Sequence, residues 1–291
     1  MAHKLGVGKV AKNIFVKENR ALVSKVATTA DVKADILRSV NLIGGLEKLI
    51  TKGDEIWVKP NFNTGDAPPG SSDPDFVKAV IELLYDYGAS KVVVGESSMV
   101  KTSTRKVFEE TGMMEKAKEA GAEIVFFDEE RWKKVNTGGS YLKNVSVPEP
   151  ALKAQKLVYV CCMKTHRWAK FTLSLKLAVG FMKPSERLML HARHLEEKIA
   201  DLNLVVHPDL VIMDGRTCFI SGGPACGERR FPNVVLASGD RVALDVEAVK
   251  VIKGYEGTSL TEDPWSYVQI SQAAALGIGA KSEQDYVVLE K

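Results

Sequence analysis

Six runs of strand length, "DEIWVKP", "KVVVGES", "AEIVFFD", "KLVYVCCM", "DLVIMDG" and "NVVLAS", recur along the chain, most of them separated by segments with helical spacing of apolar residues. A strand that is apolar at nearly every position is buried on both faces, and sheets built from such strands are mainly parallel, with helices on each side. The alternation therefore predicts an α/β fold, a mostly parallel or mixed sheet with helices on both faces. We read residues 1–291 as one α/β domain, with room for two lobes, 1–155 and 156–291, around a cleft.

The helices announce their ends. Asp31 precedes Ile36, Leu37, Val40 and Ile43 at helical spacing, Asp73 stands before Pro74 with Gly88 beyond, and Asp240 opens the segment Val242 to Ile252. Aspartate accepts from the first free helical N–H groups, proline suits the first helical position, and glycine suits the exit. Further helices are expected over Thr104 to Ala120, Leu195 to Val206 and Pro264 to Leu276, a hairpin within Glu129 to Val147, and a closing strand in "DYVVLEK". Short β-segments are expected near Asn13 to Val16 and Ala21 to Ala27.

One segment reads ambiguously. In "KFTLSLKLAVGF", Phe171, Leu173, Leu175, Leu177, Val179 and Phe181 alternate, which predicts a strand, while the length also suits a helix. The choice matters for Lys176, which follows His166 at a distance of ~33 Å along a strand or ~15 Å along a helix. The two residues meet only if the chain reverses between them.

Composition narrows the function. With 45% hydrophobic and 26% charged residues the chain reads as an ordinary soluble protein. A net charge of +3 with no run of five Lys or Arg lacks the basic footprint of a nucleic-acid binder. No window approaches the ~20 apolar residues that span a bilayer, and "MAHKLGVGKV" lacks a signal-peptide core, so a cytoplasmic protein without a membrane partner is expected. Cys161, Cys162, Cys218 and Cys226 form no CxxC motif and are expected as reduced thiols.

Chemistry concentrates at strand tails. Ligands of open α/β sheets bind outside the carboxyl ends of the strands, and those ends carry Lys59 and Asn61, Glu96 and Ser97, Lys164, Thr165 and His166, and Asp214. Lys59, Lys164 and Lys176 supply positive charge for a carboxylate or phosphate, and Asn61, Ser97, Thr165, Gly222 and Gly223 are candidate substrate contacts. His166, with an ordinary pKa of ~6.5, is the candidate acid/base, with Lys164 and Lys176 as catalytic partners. Glu96, His191, Asp214 and Asp245 are candidate ligands of a divalent ion such as Mg²⁺, Mn²⁺, Fe²⁺ or Zn²⁺, although metal-free proton transfer suits the same residues.

Two other classes stay open. Cys162, Cys218 and Cys226, or Cys161 in place of its neighbour, lie near the same sheet edge and could hold an iron–sulfur cluster or zinc in a redox protein with a redox partner. A non-catalytic binding protein, presenting Trp168 or Trp265 at an interface or forming a homo-oligomer, is the third.

"VKPN", "GES", "KTH" followed by "LSLKLAVG", His191, "DLVIMDG", "GGP" and "DRVALD", in that order from Trp57 to Leu276, resemble the family called domain of unknown function three-six-two. The resemblance implies an α/β domain and names no reaction. The ferredoxin-like CxxCxxC module that some members carry is absent from this sequence. The order His166, Lys176, His191 is also similar to the lactate racemase family. That similarity would imply a cleft between two lobes, with His166 as acid/base, Lys176 as tether of a nickel–pincer nucleotide and His191 as nickel ligand. The glycine-rich surroundings of that family's lysine are replaced here by "LSLKLAVG". An enzyme of racemase, isomerase or lyase type on a small anionic substrate is the leading expectation.

Overall fold

Alternating side chains on the central strands divide the core into two clusters, one on each face of a single sheet. The computed structural model describes Leu5 and residues 12–291. In chain order the strands are β1 (Val16–Lys17), β2 (Arg20–Ala27), β3 (Glu55–Lys59), β4 (Lys91–Glu96), β5 (Glu123–Phe126), β6 (Trp132–Asn136), β7 (Asn144–Pro148) and β8 (Lys156–His166). There follow β9 (Lys170–Thr172), β10 (Leu210–Gly222), β11 (Gly227–Arg230), β12 (Val234–Ser238) and β13 (Tyr286–Glu290). The helices are α1 (Val32–Leu42), α2 (Pro74–Asp86), α3 (Thr104–Glu110), α4 (Met113–Glu119), α5 (Ser174–Leu177), α6 (Pro184–Leu190), α7 (Leu195–Leu202), α8 (Arg241–Lys253) and α9 (Val268–Ala275).

The sheet runs β1-β2-β12-β10-β8-β3-β4-β5. Neighbours from β10 through β5 are parallel, while β12 pairs antiparallel with both β10 and β2, so the sheet is mixed at one side. On β8, Leu157, Tyr159, Cys161 and Met163 enter the cluster shared with α5, α7, α8 and α9, whereas Val158 and Val160 enter the one shared with α1 to α4. A period of two with both faces covered is why these strands read as unbroken apolar runs. Strands from before and after residue 155 are interleaved in this one sheet, so the boundary 155/156 does not divide it.

The caps form as the sequence suggests: Asp31 accepts from Ala34 N, Asp73 from Asp75 N, and Asp240 from Val242 N and Ala243 N. β6 and β7 make the hairpin as a separate two-stranded sheet. The segment Thr104 to Ala120 is two helices, broken at Gly112, which takes φ +77. Among the described residues no helix is long and apolar enough to cross a membrane.

Candidate active-site cavity at the strand tails

The chain reverses directly after His166. β8 turns over residues 167–169 and returns as β9, pairing Lys164 with Thr172 and His166 with Lys170. The His166 ring is part of that turn, because its Nδ1 accepts from the backbone N–H groups of Trp168 and Ala169, both at 3.0 Å. An Nδ1 that accepts twice carries no proton, so the neutral ring holds its hydrogen on Nε2.

The expected long strand over 171–181 is corrected: β9 ends at Thr172, and α5 and a 3-10 turn over Ala178–Phe181 follow. The reason lies on α8. Asp245 accepts from Ser174 N at 2.8 Å, Leu175 N at 2.9 Å and Ser174 Oγ at 2.6 Å, and so captures the first free N–H groups of α5. Apolar residues on every side of a buried segment also make its alternation a poor guide to period. Asp245→Ala is expected to destabilise the protein by about 2–4 kcal/mol in urea titration, from loss of several charge-assisted hydrogen bonds.

The reversal and the short helix bring His166, Lys176 and His191 to one cavity of about 340 Å³. Lys59, Asn61, Glu96, Ser97 and Lys164 also line it, so three of the four predicted strand tails, those of β3, β4 and β8, do meet. Glu96 is the one carboxylate in the lining. Its Oε1 accepts from Lys59 Nζ at 2.6 Å and from Ser97 N at 2.8 Å, and its Oε2 from Phe62 N at 2.8 Å. Both oxygens are therefore committed to a buried ion pair and two backbone donors.

The other cations lack such a partner. Lys164 Nζ donates to the carbonyl of Gly70. Arg187 on α6 donates to the carbonyls of Met182, Ser97, Ser98 and Gly180, to Asn63 Oδ1 and to Ser97 Oγ, which are all neutral acceptors. Lys176 opens onto the cavity space itself. The ring of His191 lies 6.5 Å from that of His166 at an interplanar angle of 24°. Its Nδ1 donates to the Arg187 carbonyl at 2.8 Å, which leaves its Nε2 as the free ring nitrogen.

Burial and mutual repulsion lower the proton affinities of these groups. Burial, then repulsion by Lys164 and Arg187, lowers Lys176 to about 7. Burial lowers Lys59 against the pull of Glu96, and lowers Lys164 against the weaker pulls of Cys162 and Asp66. Arg187 falls to about 10, chiefly by burial. His166 falls to about 2, from burial and then the charges of Lys176, His191 and Lys164. With its Nδ1 held by two backbone donors and its proton affinity lowered, the His166 ring offers an Nε2–H donor, and Lys176 is lowered into the range near pH 7.

Several expected participants lie elsewhere. Asp214 is inside β10 rather than at its end, and Arg216 bonds both its oxygens while bridging to Asp73. Burial raises Asp245 to about 7 and its oxygens are occupied by α5, so Glu96, His191, Asp214 and Asp245 do not converge as metal ligands. Gly222 and Gly223 do not line the cavity, but a Cβ on Gly223 would lie 2.0 Å from the carbonyl oxygen of Thr165. That close approach lets Pro224 and Ala225 reach the wall. Thr165 alternates away from the cavity, between Lys164 and His166.

The cysteines scatter. Cys161 faces the Ile212 carbonyl, Cys162 sits beside Ser72, Cys218 is buried in the same core cluster as Cys161 and Cys226 is exposed. Among the described residues, no three His, Cys, Asp or Glu side chains are grouped to hold a metal ion.

Sequence reading missed Arg187 and Thr172. An arginine in "PSERLML" looks like a solvated helix face, and nothing in the spacing marks its burial. Thr172 Oγ1 lines the cavity buried and without a hydrogen-bond partner.

The chain is 24% identical over 247 residues to the thylakoid-associated protein sll1697 of Synechocystis sp., an alignment covering 82% of this chain and 75% of that one. The family model described as "Domain of unknown function (DUF362)" matches residues 56–250. That span includes β3 from Ile56 onward, β4, β8 and every lining residue of the cavity, and the chain belongs to the DUF362 family.

Proposed function

We propose that the cavity belongs to an enzyme that binds a small anion and exchanges a proton with it. One observation carries this reading: Lys59, Lys164, Lys176 and Arg187 line a single cavity against one carboxylate, Glu96, which Lys59 already occupies. Burying a charge without a counter-charge is costly, and a bound carboxylate or phosphate would relieve that cost for Lys164, Lys176 and Arg187 together.

The roles follow from donor inventory. Lys164 has ammonium hydrogens left after Gly70 and can hold the anion directly. Arg187 has spent its donors on protein oxygens and contributes field alone. His166 Nε2–H and Thr172 Oγ1 are further contacts for substrate oxygens. Lys176, divided between amine and ammonium near pH 7, is the proton-transfer group. A neutral lysine amine beside a bound carboxylate suits abstraction of the adjacent carbon-bound proton, the step shared by racemases, isomerases and many lyases. Cytoplasmic placement is part of the proposal and rests on four free thiols.

Thermal unfolding in acetate, malonate or phosphate, each against equal chloride, tests the binding half. At least one anion is expected to stabilise the protein, by about 2.7 kcal/mol at a hundred times its dissociation constant, and Lys164→Met is expected to remove the effect. Equal Tm values in all four salts would sink the reading. The chemical half is read by proton NMR in D₂O, where a bound α-substituted carboxylate should exchange its α-hydrogen with wild type and not with Lys176→Met.

A further inference from the structure

The cavity inverts the usual order of polarity. Its cations are inside: Lys59, Lys164 and Arg187 are 7% exposed or less. Its large apolar side chains are outside: Trp168 is 72% exposed, Leu188 66%, Val100 46% and Met99 37%, and all four line the same space. Among the described residues nine large hydrophobic side chains are exposed, and these four gather at one mouth, with exposed Met189 beside Leu188 in the chain. Scattered surface hydrophobics need no explanation, whereas a cluster rimming a pocket marks something that covers it.

They arrive from separate segments. Met99 and Val100 follow the tail of β4, Trp168 tops the β8–β9 turn, and Leu188 sits on α6. Leu177, Val179 and Pro184 continue the apolar surface inward towards the cations. At about 340 Å³ the cavity lies at the small end of ligand sites, which run ~300–1,000 Å³. A ligand longer than its anionic head extends along the rest of this lining, which is apolar at the exposed rim.

From this gradient we infer that the ligand is amphipathic: a carboxylate or phosphate head seated among Lys164, Lys176 and His166, carrying an apolar chain or ring that leaves between Trp168, Leu188, Met99 and Val100. The inference rests on the anion site proposed above and adds the class of molecule it serves. The inner, apolar neck argues for a tail attached to the head in place of a separate protein partner, because only a ligand already in the cavity uses neck and rim together.

The test is a series of straight-chain carboxylates from acetate to decanoate, titrated below their micelle concentrations by calorimetry. Each methylene buried on the neck and rim is expected to tighten binding about fourfold, the conversion of ~0.8 kcal/mol per CH₂. Trp168→Ser combined with Leu188→Ser should lower that increment towards one for the longer members, and both positions are exposed enough that folding is not at stake. Acetate binding that Lys164→Met abolishes, joined to an affinity flat with chain length, would overturn the amphipathic ligand and leave the anion site standing. A slope that survives the double rim variant unchanged would also overturn it. Binding of no carboxylate at any length and of no inorganic phosphate would instead remove the anion site.

Discussion

Lys59→Met is expected to cost about 3–5 kcal/mol of folding stability, the usual consequence of removing one partner from a buried ion pair. Lys59 and Glu96 are each about 1% exposed, with Nζ and Oε1 2.6 Å apart. With lysine gone, Glu96 would keep Phe62 N and Ser97 N but would face no cation at contact distance. In urea titration the midpoint should fall with an unchanged m-value, and on heating Tm should drop by on the order of 10 °C. Lys59→Met combined with Glu96→Gln should recover most of the loss, since the amide keeps an acceptor for a backbone donor without a buried charge. A single-variant loss below about 1 kcal/mol, the range of exposed pairs, would mean that water reaches the pair. Gly180 bears on the same contact: a Cβ there would lie 2.4 Å from Lys59 Cε and Nζ.

Anion affinity should fall by up to tenfold for each pH unit above about 7, where Lys176 loses its proton. The sign follows from linkage: an anion prefers the ammonium form, so binding takes up a proton once the free amine predominates. Lys176→Met should remove this dependence and leave a weaker, flatter profile. Stability of the ligand-free protein should move the opposite way. Lys176 titrates at about 7 when folded against 10.5 as its ordinary value, so the unfolded chain binds the extra proton in that window. Stability therefore rises with pH from about 7 towards 10.5, and Lys176→Met should flatten that rise. An affinity constant from pH 6 to 9 would remove Lys176 from the site.

The strands and caps were legible because they are local. Val158 and Val160 report one face of β8, Tyr159 and Cys161 the other, and Asp240 caps α8 from its own neighbourhood. The strand tails were legible because topology alone sends Lys59, Glu96 and Lys164 to one edge. What escaped depends on distant partners. The break between β9 and α5 is imposed by Asp245, 71 residues from Ser174. The neutral state of His166 comes from two backbone donors and nearby cations, and Asp214 is drawn away by Arg216. Arg187 becomes a wall of the site only after α6 folds over Ser97.

The bond from α8 to α5 has a kinetic consequence. A single turn of four residues has no stability of its own, so α5 persists only while Asp245 and the surrounding core hold it. The amide hydrogens of Ser174 and Leu175 should then exchange with solvent only through openings that also loosen α8, on the slow scale of the protein's interior. Lys176 is thus carried on a turn fastened to the buried interior of the molecule. Entry to the cavity lies at the opposite side, through the mouth lined by exposed Trp168, Leu188, Met99 and Val100.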